Sequence, residues 1–420
     1  MHRLDPALPD LRGLIRPGDQ ILWGQVAGEP PSLVEALVAQ RAALGGVSVF
    51  LGAGLTTTLR PEHADHIAMS GLGGLGTNRA LASAGVLEVM PLHGGQVGRM
   101  VAAGRIRCDV AFLMLGPAGS DGGHSMGCTV DYMDAAVTSA RTVIAEVSPR
   151  VPYTFGHETI PISRLDAIVQ SDRAPLGVRP RRIGDVGRQI AEHVAALVEN
   201  GSTVQTGLGE LPEAILDGLA QHRDLGLHSG IFGDAAMRLT QAGVLTNTRK
   251  PIDTGISVAT TLVGTETLYA FAHRNPAVQL RACSYTHGDA VLAQLPRLVA
   301  VNAAVEVDLT GQVNAEQAGR TIIGGIGGQA DFARGASRSP GGCSIIALPA
   351  TASGAASRIV ARLSGPVTTP RADVDFVVTE YGAADLRSCS LAERRRRLTA
   401  IAVPEAREAL ERSAREEGAE

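Results

Sequence analysis

In PGDQILWGQVAGEPPSLVEAL (residues 17–37), a Pro-Gly turn leads into an apolar run at 20–23, then a glycine loop, a proline pair and an Ala/Leu-rich stretch that predicts a helix over 31–42. A short apolar run closed by glycine and followed by a proline-opened helix is the pattern of a buried parallel strand with its crossover helix. The unit recurs in NGSTVQTGLGELPEAILDGL (residues 200–219), with a strand at 203–206 and a helix at 213–220. Each copy precedes another strand candidate, VSVFLG (47–52) and LGLHSG (225–230). One repeat at this separation implies two related halves. The expected fold class is α/β, with two similar open α/β domains.

The segment SDRAPLGVRPRR (171–182) carries two prolines and four arginines and reads as an exposed linker before a helix over 183–199. The boundary is placed near Pro180, giving domains 1–180 and 181–420. A chain of 420 residues exceeds the size at which one core keeps growing, which agrees with two domains. Glycine, at 50 residues, clusters at the ends of apolar runs, where a ligand or another backbone can approach closely.

Composition excludes several functions. With 45% hydrophobic and 19% charged residues the chain can bury sizeable cores. A net charge of −4 provides no basic field for nucleic acid. No apolar run approaches the ~20 residues of a spanning helix, and residues 1–20 contain three aspartates and no apolar core of a signal peptide. No membrane association is expected. The five scattered cysteines lack CxxC spacing, so neither a disulfide frame nor a metal site is expected and a cytoplasmic location follows. The arginine run 394–397 reads as a solvated helix face.

Five motifs in the second half then stand in order: QTGLGELPEA (205–214), LGLHSGIFGD (225–234), VNAAVEVDLTGQV (301–313), GGIGGQADFARGA (324–336) and VTTPRADVDFVVTEYGAADL (367–386). Together with PRVPYTFG (149–156) and DGGHSMG (121–127), they resemble the acetyl-CoA hydrolase/CoA-transferase family, the 4-hydroxybutyrate and acetate CoA-transferases of family I. The resemblance implies a two-domain fold with the active site in the interdomain cleft, and usually a homodimer. It also implies a coenzyme A thioester as substrate and no permanently bound cofactor.

CoA exchange needs a carboxylate nucleophile that passes through an anhydride and a glutamyl-CoA thioester. By resemblance, Gln205, Gly207 and Gly209 form the turn whose backbone N–H groups meet the developing oxyanion. Gly324, Gly325, Gly327, Gly328 and Gln329 correspond to the CoA-side loop, and Asn302 to a residue lining the nucleophile's pocket. The family places its glutamate third in a His, small hydroxyl, Glu triplet. Here that triplet is His228, Ser229, Gly230, so the nucleophile is absent.

Three repairs stay open at this point. Water can occupy the space at Gly230 with His228 as general base, giving an acyl-CoA hydrolase. Glu210, directly after the oxyanion turn, can replace the lost carboxylate and restore conventional CoA transfer, although a carboxylate at a helix start is stabilised there without catalytic duty. A different reaction on the bound thioester, such as acyl transfer to an amine or alcohol or a decarboxylation, is the third. A non-catalytic CoA- or partner-binding homologue is the competing class. Ser229 alternates away from a site that Gly230 faces, Cys343 reads as a small buried residue, and Asp331 with Arg334 reads as a loop-stabilising pair.

Overall fold

The computed structural model describes residues 2–178, 183–352 and 356–418. Among them, the first half builds an eight-stranded parallel sheet from β1 (His2–Leu4), β2 (Gln20–Trp23), β3 (Val47–Leu51), β4 (Ile67–Gly71), β5 (Leu87–Val89), β6 (Val110–Leu115), β7 (Thr142–Val147) and β8 (Ala167–Gln170). The spatial order is β1-β8-β7-β6-β2-β3-β4-β5. Central strands such as VAFLML in β6 are buried on both faces, as helices on either side of a parallel sheet require. The first helix, α1 (Pro31–Gln40), begins at Pro31. Its first turn is held by the buried carboxylate of Glu146 on β7, which accepts from Ser32 N at 2.7 Å and Ser32 Oγ at 2.8 Å. A negative charge is favoured at that end of a helix.

The second half repeats the plan. Strands β9 (Thr203–Thr206), β10 (Gly226–Leu227), β11 (Ser257–Ala259), β12 (Val278–Leu280), β13 (Leu298–Ala303), β14 (Cys343–Ala347), β15 (Phe376–Thr379) and β16 (Gly382–Asp385) include a six-stranded sheet ordered β10-β9-β13-β14-β15-β16. The parallel pair β11–β12 extends it through the single bridge His228↔Val258, with Ser229 N donating to Val258 O at 3.0 Å. The combined order β12-β11-β10-β9-β13-β14-β15-β16 matches β5-β4-β3-β2-β6-β7-β8-β1 position for position, except that β16 runs antiparallel to β15. The repeated unit of the sequence is thus β2–α1 and β9–α4, where α4 is Glu210–Gly218. That helix starts earlier than its sequence pattern suggests, because Pro212 falls in the first turn, where its missing N–H costs nothing. The helix expected over 183–199 is the shorter α3 (Asp185–Ala195). The boundary placed near Pro180 lies outside the described residues.

The halves meet along backbone as well as side chains. Gly74 N donates to Gly324 O at 2.8 Å and Gly94 N to Gly327 O at 2.6 Å. Bridges Thr129↔Thr261 and Asp131↔Ala282 continue the seam, and one apolar cluster runs across it from Leu22 and Phe50 to Val204 and Leu262. A Cβ on Gly325 would stand 2.2 Å from Leu72 O, so only glycine allows this approach. Gly325→Ala should therefore lower the urea midpoint by the equivalent of about 1–3 kcal/mol. Gly184→Ala, whose Cβ would meet nothing within 4 Å, should stay within about 0.5 kcal/mol of wild type.

Candidate active site

Both repeated units end their first strand in a glycine turn at the carboxyl edge of the sheet, where open α/β sheets bind ligands. In the second half, β9 places Gln205 against Asn302 of β13. Gln205 Nε2 donates to Asn302 Oδ1 at 3.3 Å and Asn302 Nδ2 to Gln205 Oε1 at 3.2 Å, a reciprocal pair of buried amides. The chain then turns through Gly207, Leu208 and Gly209, the last at φ +130, a conformation open to glycine. These glycines line a cavity of 430 Å³ together with Glu210, Ile231, Val263 and, from the first half, Leu55. Glu210 opens α4 and is exposed. Its neighbour Glu213 accepts from Ala235 N at 2.8 Å, which caps α5 (Asp234–Gln241), and burial raises its carboxyl above the ordinary range.

The triplet after β10 divides into two buried side chains and one open position. His228 Nε2 lies 2.9 Å from the carbonyl oxygen of Thr286, and desolvation, reinforced by the nearby Lys250 charge, pushes the imidazole down to about 3. Its Nδ1 is buried without a partner. Ser229 Oγ donates to Thr206 O at 3.0 Å, tying β9 to β10. Ser229 thus braces two strands, and His228 ties the end of β10 to the helix Cys283–Thr286. Gly230 O accepts from Thr260 N at 3.1 Å, Thr261 N at 3.2 Å and Thr260 Oγ1 at 2.6 Å, which holds the peptide in place. A Cβ at Gly230 would have ordinary contacts only, at 3.5 Å to His287 Nε2 and 3.6 Å to its Cε1.

His287 is the residue that sequence reasoning missed. It follows the short helix α6 (Cys283–Thr286), is 8% exposed, and packs its ring against Phe332 at 4.6 Å between centroids. Two glycines make room for it. A Cβ on Gly328 would stand 2.4 Å from Nε2, and one on Gly95 would stand 2.8 Å from the His287 Cβ. Burial pushes this imidazole down to about 4. The only signal of it in the sequence is the glycine at each of positions 95, 230 and 328, which becomes readable once the chain is folded.

The expected CoA-side loop occupies the seam. Gly324 and Gly325 press against Ala315 O and Leu72 O, Gly327 sits at φ +52, and Gly328 lies beneath His287. Gln329 begins α7 (Gln329–Arg338) and donates from Nε2 to Thr369 Oγ1 at 3.3 Å. Asp331 accepts from Gly95 N at 3.0 Å, whereas Arg334 pairs with Asp373 at 3.3 Å, so the expected Asp331–Arg334 pair is replaced by two others. Cys343 is buried in β14. In the run 394–397, Arg394 donates to Thr310 O and Arg371 O, and Arg397 to Asp385 O, so these two arginines bind backbone rather than solvent alone. Among the described residues no three His, Cys, Asp or Glu side chains gather as a metal site.

Residues 8–180 match the model of the acetyl-CoA hydrolase/transferase N-terminal domain, and residues 264–414 that of the C-terminal domain. The chain belongs to the acetyl-CoA hydrolase/transferase family. Members of this family are CoA-transferases and acetyl-CoA hydrolases, and the chain is an enzyme of that class. It is 37% identical over 398 residues to a 4-hydroxybutyrate coenzyme A transferase of Clostridium kluyveri, covering 93% of this chain and 92% of the relative. An acetyl-CoA hydrolase of Saccharomyces cerevisiae is 28% identical, over 59% of this chain and half of that protein. Among solved structures, RipA from Yersinia pestis superposes with a TM-score of 0.91 at 33% identity, covering 96% of this chain and 95% of RipA. A 4-hydroxybutyrate CoA-transferase from Porphyromonas gingivalis gives 0.82 at the same identity, over 96% of this chain and 95% of that one. The two-domain α/β fold is that of this family.

His228 provides a test of its bracing role. Removing a buried donor and leaving its carbonyl partner unpaired, His228→Ala should cost about 2–4 kcal/mol at pH 7. Because folding lowers the His228 pKa from 6.5 to about 3, its contribution is complete above pH 6.5 and is lost as the pH falls towards 3. Urea titrations should therefore show the gap between wild type and variant narrowing from pH 7 to pH 4.

Proposed function

We propose that this chain hydrolyses acyl-CoA thioesters by direct attack of water, without an acyl- or CoA-bound enzyme carboxylate. The observation that carries the reading is the open position at Gly230, held by three hydrogen bonds and facing an imidazole nitrogen. Glycine has no side chain to acylate, so a glutamyl-CoA intermediate has no starting point there. The turn at Gly207 and Gly209, beside a cavity between the halves, is suited to receive the thioester oxygen at its backbone N–H groups. Gln205 and Asn302 hold that turn's strand in register, each amide keeping one N–H beyond the reciprocal pair. Gly324, Gly325, Gly327, Gly328 and Gln329 are assigned the CoA side of the cleft by resemblance.

A cytoplasmic location, a homodimer and the division into domains at 180 and 181 belong to the same proposal. Five free cysteines support the first, and among the described residues no helix is long and apolar enough to cross a membrane. Conventional transfer through Glu210 is the second reading, favoured by its place on the cavity beside Gly207 and Gly209.

A single turnover of acetyl-, propionyl- or butyryl-CoA in oxygen-18 water decides between them. Water attack places heavy oxygen in the first acid released, and free thiol appears without an added carboxylate. Light oxygen in that first acid, with no free thiol and with acetyl-CoA formed from propionyl- or butyryl-CoA on added acetate, a product lost in Glu210→Gln, would replace hydrolysis by a relocated carboxylate. Gly230→Glu should in turn convert the site, yielding a hydroxylamine-sensitive CoA adduct visible by mass, since the added Cβ meets only ordinary contacts.

A further inference from the structure

We infer that His287 is the general base that deprotonates the attacking water, acting from Nε2 across the space above Gly230. The inference rests on the hydrolytic reading above and assigns its chemistry to a residue other than His228.

Geometry separates the two imidazoles. His228 spends Nε2 on the Thr286 carbonyl and is fully buried. His287 presents Nε2 3.5 Å from the point where a side chain at residue 230 would begin, and among the described residues that nitrogen makes no hydrogen bond. Its other nitrogen is engaged. Nδ1 lies 2.7 Å from Thr286 Oγ1, and the Cys283 carbonyl also faces the ring. Thr286 Oγ1 itself donates to Ala282 O at 3.4 Å, so it accepts a hydrogen bond from the imidazole N–H rather than donating one. With Nδ1 as donor, the lone pair resides on Nε2, the tautomer that a base requires. Phe332 on one side, and the missing side chains of Gly95 and Gly328, hold the ring in this orientation.

The step balances without a further reactant. Water oxygen bonds to the thioester carbonyl carbon as its proton passes to His287 Nε2, and the carbonyl π pair moves onto oxygen. The tetrahedral intermediate then collapses, the C–S bond breaks, and the leaving thiolate takes the proton back from Nε2. Products are the carboxylic acid and the free thiol of CoA.

Charged and titratable groups near the ring are few. Cys283 lies on α6, Asp289 opens the short helix Asp289–Leu292 that follows the ring, His228 ends β10, and Asp331 lies on α7 with His93 of the first half and Arg334 near it. Burial keeps the imidazole neutral, so its depressed pKa sets where the acid limb of kcat/KM falls, near pH 4 rather than near 6.5.

Two substitutions test the assignment, His287→Asn, which keeps a group near Thr286 Oγ1, and His287→Gln. Both should lower kcat by about 10²- to 10⁴-fold with KM changed only a few-fold and should abolish the low-pH limb. Added imidazole should restore part of the rate to His287→Ala. A well-folded Asn or Gln variant with kcat within threefold of wild type, or with the acid limb unchanged, would overturn the inference. If all three variants unfold, Gly230→Ala decides, because it leaves His287 intact and sets a methyl in the path of the water. An unchanged kcat there overturns the placement, and a tenfold loss supports it. The oxygen-18 experiment is independent of these variants. Heavy oxygen in the first acid with an active His287→Asn enzyme means that hydrolysis stands and His287 is not its base, whereas light oxygen means that hydrolysis itself fails.

Discussion

Two α/β sheets are joined here by backbone touching backbone. At Gly74–Gly324 and Gly94–Gly327 the peptide of one half bonds directly to the peptide of the other, and a Cβ would stand 2.6 Å from a carbonyl oxygen at Gly74 and 2.2 Å from one at Gly324. Such contacts are short and directional, and they fix the relative position of the halves more tightly than apolar packing alone. The cavity beside the Gly207–Gly209 turn and the imidazole of His287 both lie near this seam. Their geometry depends on the glycines holding it closed.

Glycine therefore has two duties in this chain. At Gly209 and Gly327 it provides a left-handed backbone. At Gly95, Gly325 and Gly328 it yields space to a neighbour, either a carbonyl oxygen or the His287 ring. Gly230 differs from both groups, since its backbone is ordinary and its missing side chain leaves room rather than filling a necessity. That contrast marks position 230 as a place where a side chain is sterically permitted and chemically absent.

Burial sorts the site's histidines. A low-dielectric interior disfavours the charged imidazole, and both His228 and His287 are neutral at physiological pH for that reason. What separates them is hydrogen bonding. One has Nε2 committed to a carbonyl and ties down the end of β10, while the other has its committed nitrogen facing its own helix and Nε2 facing the Gly230 position. A similar economy is seen in the acids, where Glu213 caps α5 and Asp331 receives the Gly95 amide from the first half.

Much of the architecture was legible from local pattern. The strand at 20–23 and its counterpart at 203–206 fall where the apolar runs and glycines place them, because periodicity and turn chemistry are short-range properties. The absence of a carboxylate at Gly230 is a covalent fact that no folding can alter. What local pattern could not decide is which group faces that position. His287, in the undistinguished stretch SYTHG, meets Gly95, Gly230 and Gly328 only after three distant segments converge, and contact between distant segments is set by tertiary packing, not by spacing along the chain. For the same reason Asp331 and Arg334, neighbours in sequence, find separate partners in space. The residues alone determined the paired α/β halves and the glycine at position 230; the fold decided that an imidazole stands over it, because only the closed seam brings that ring within reach.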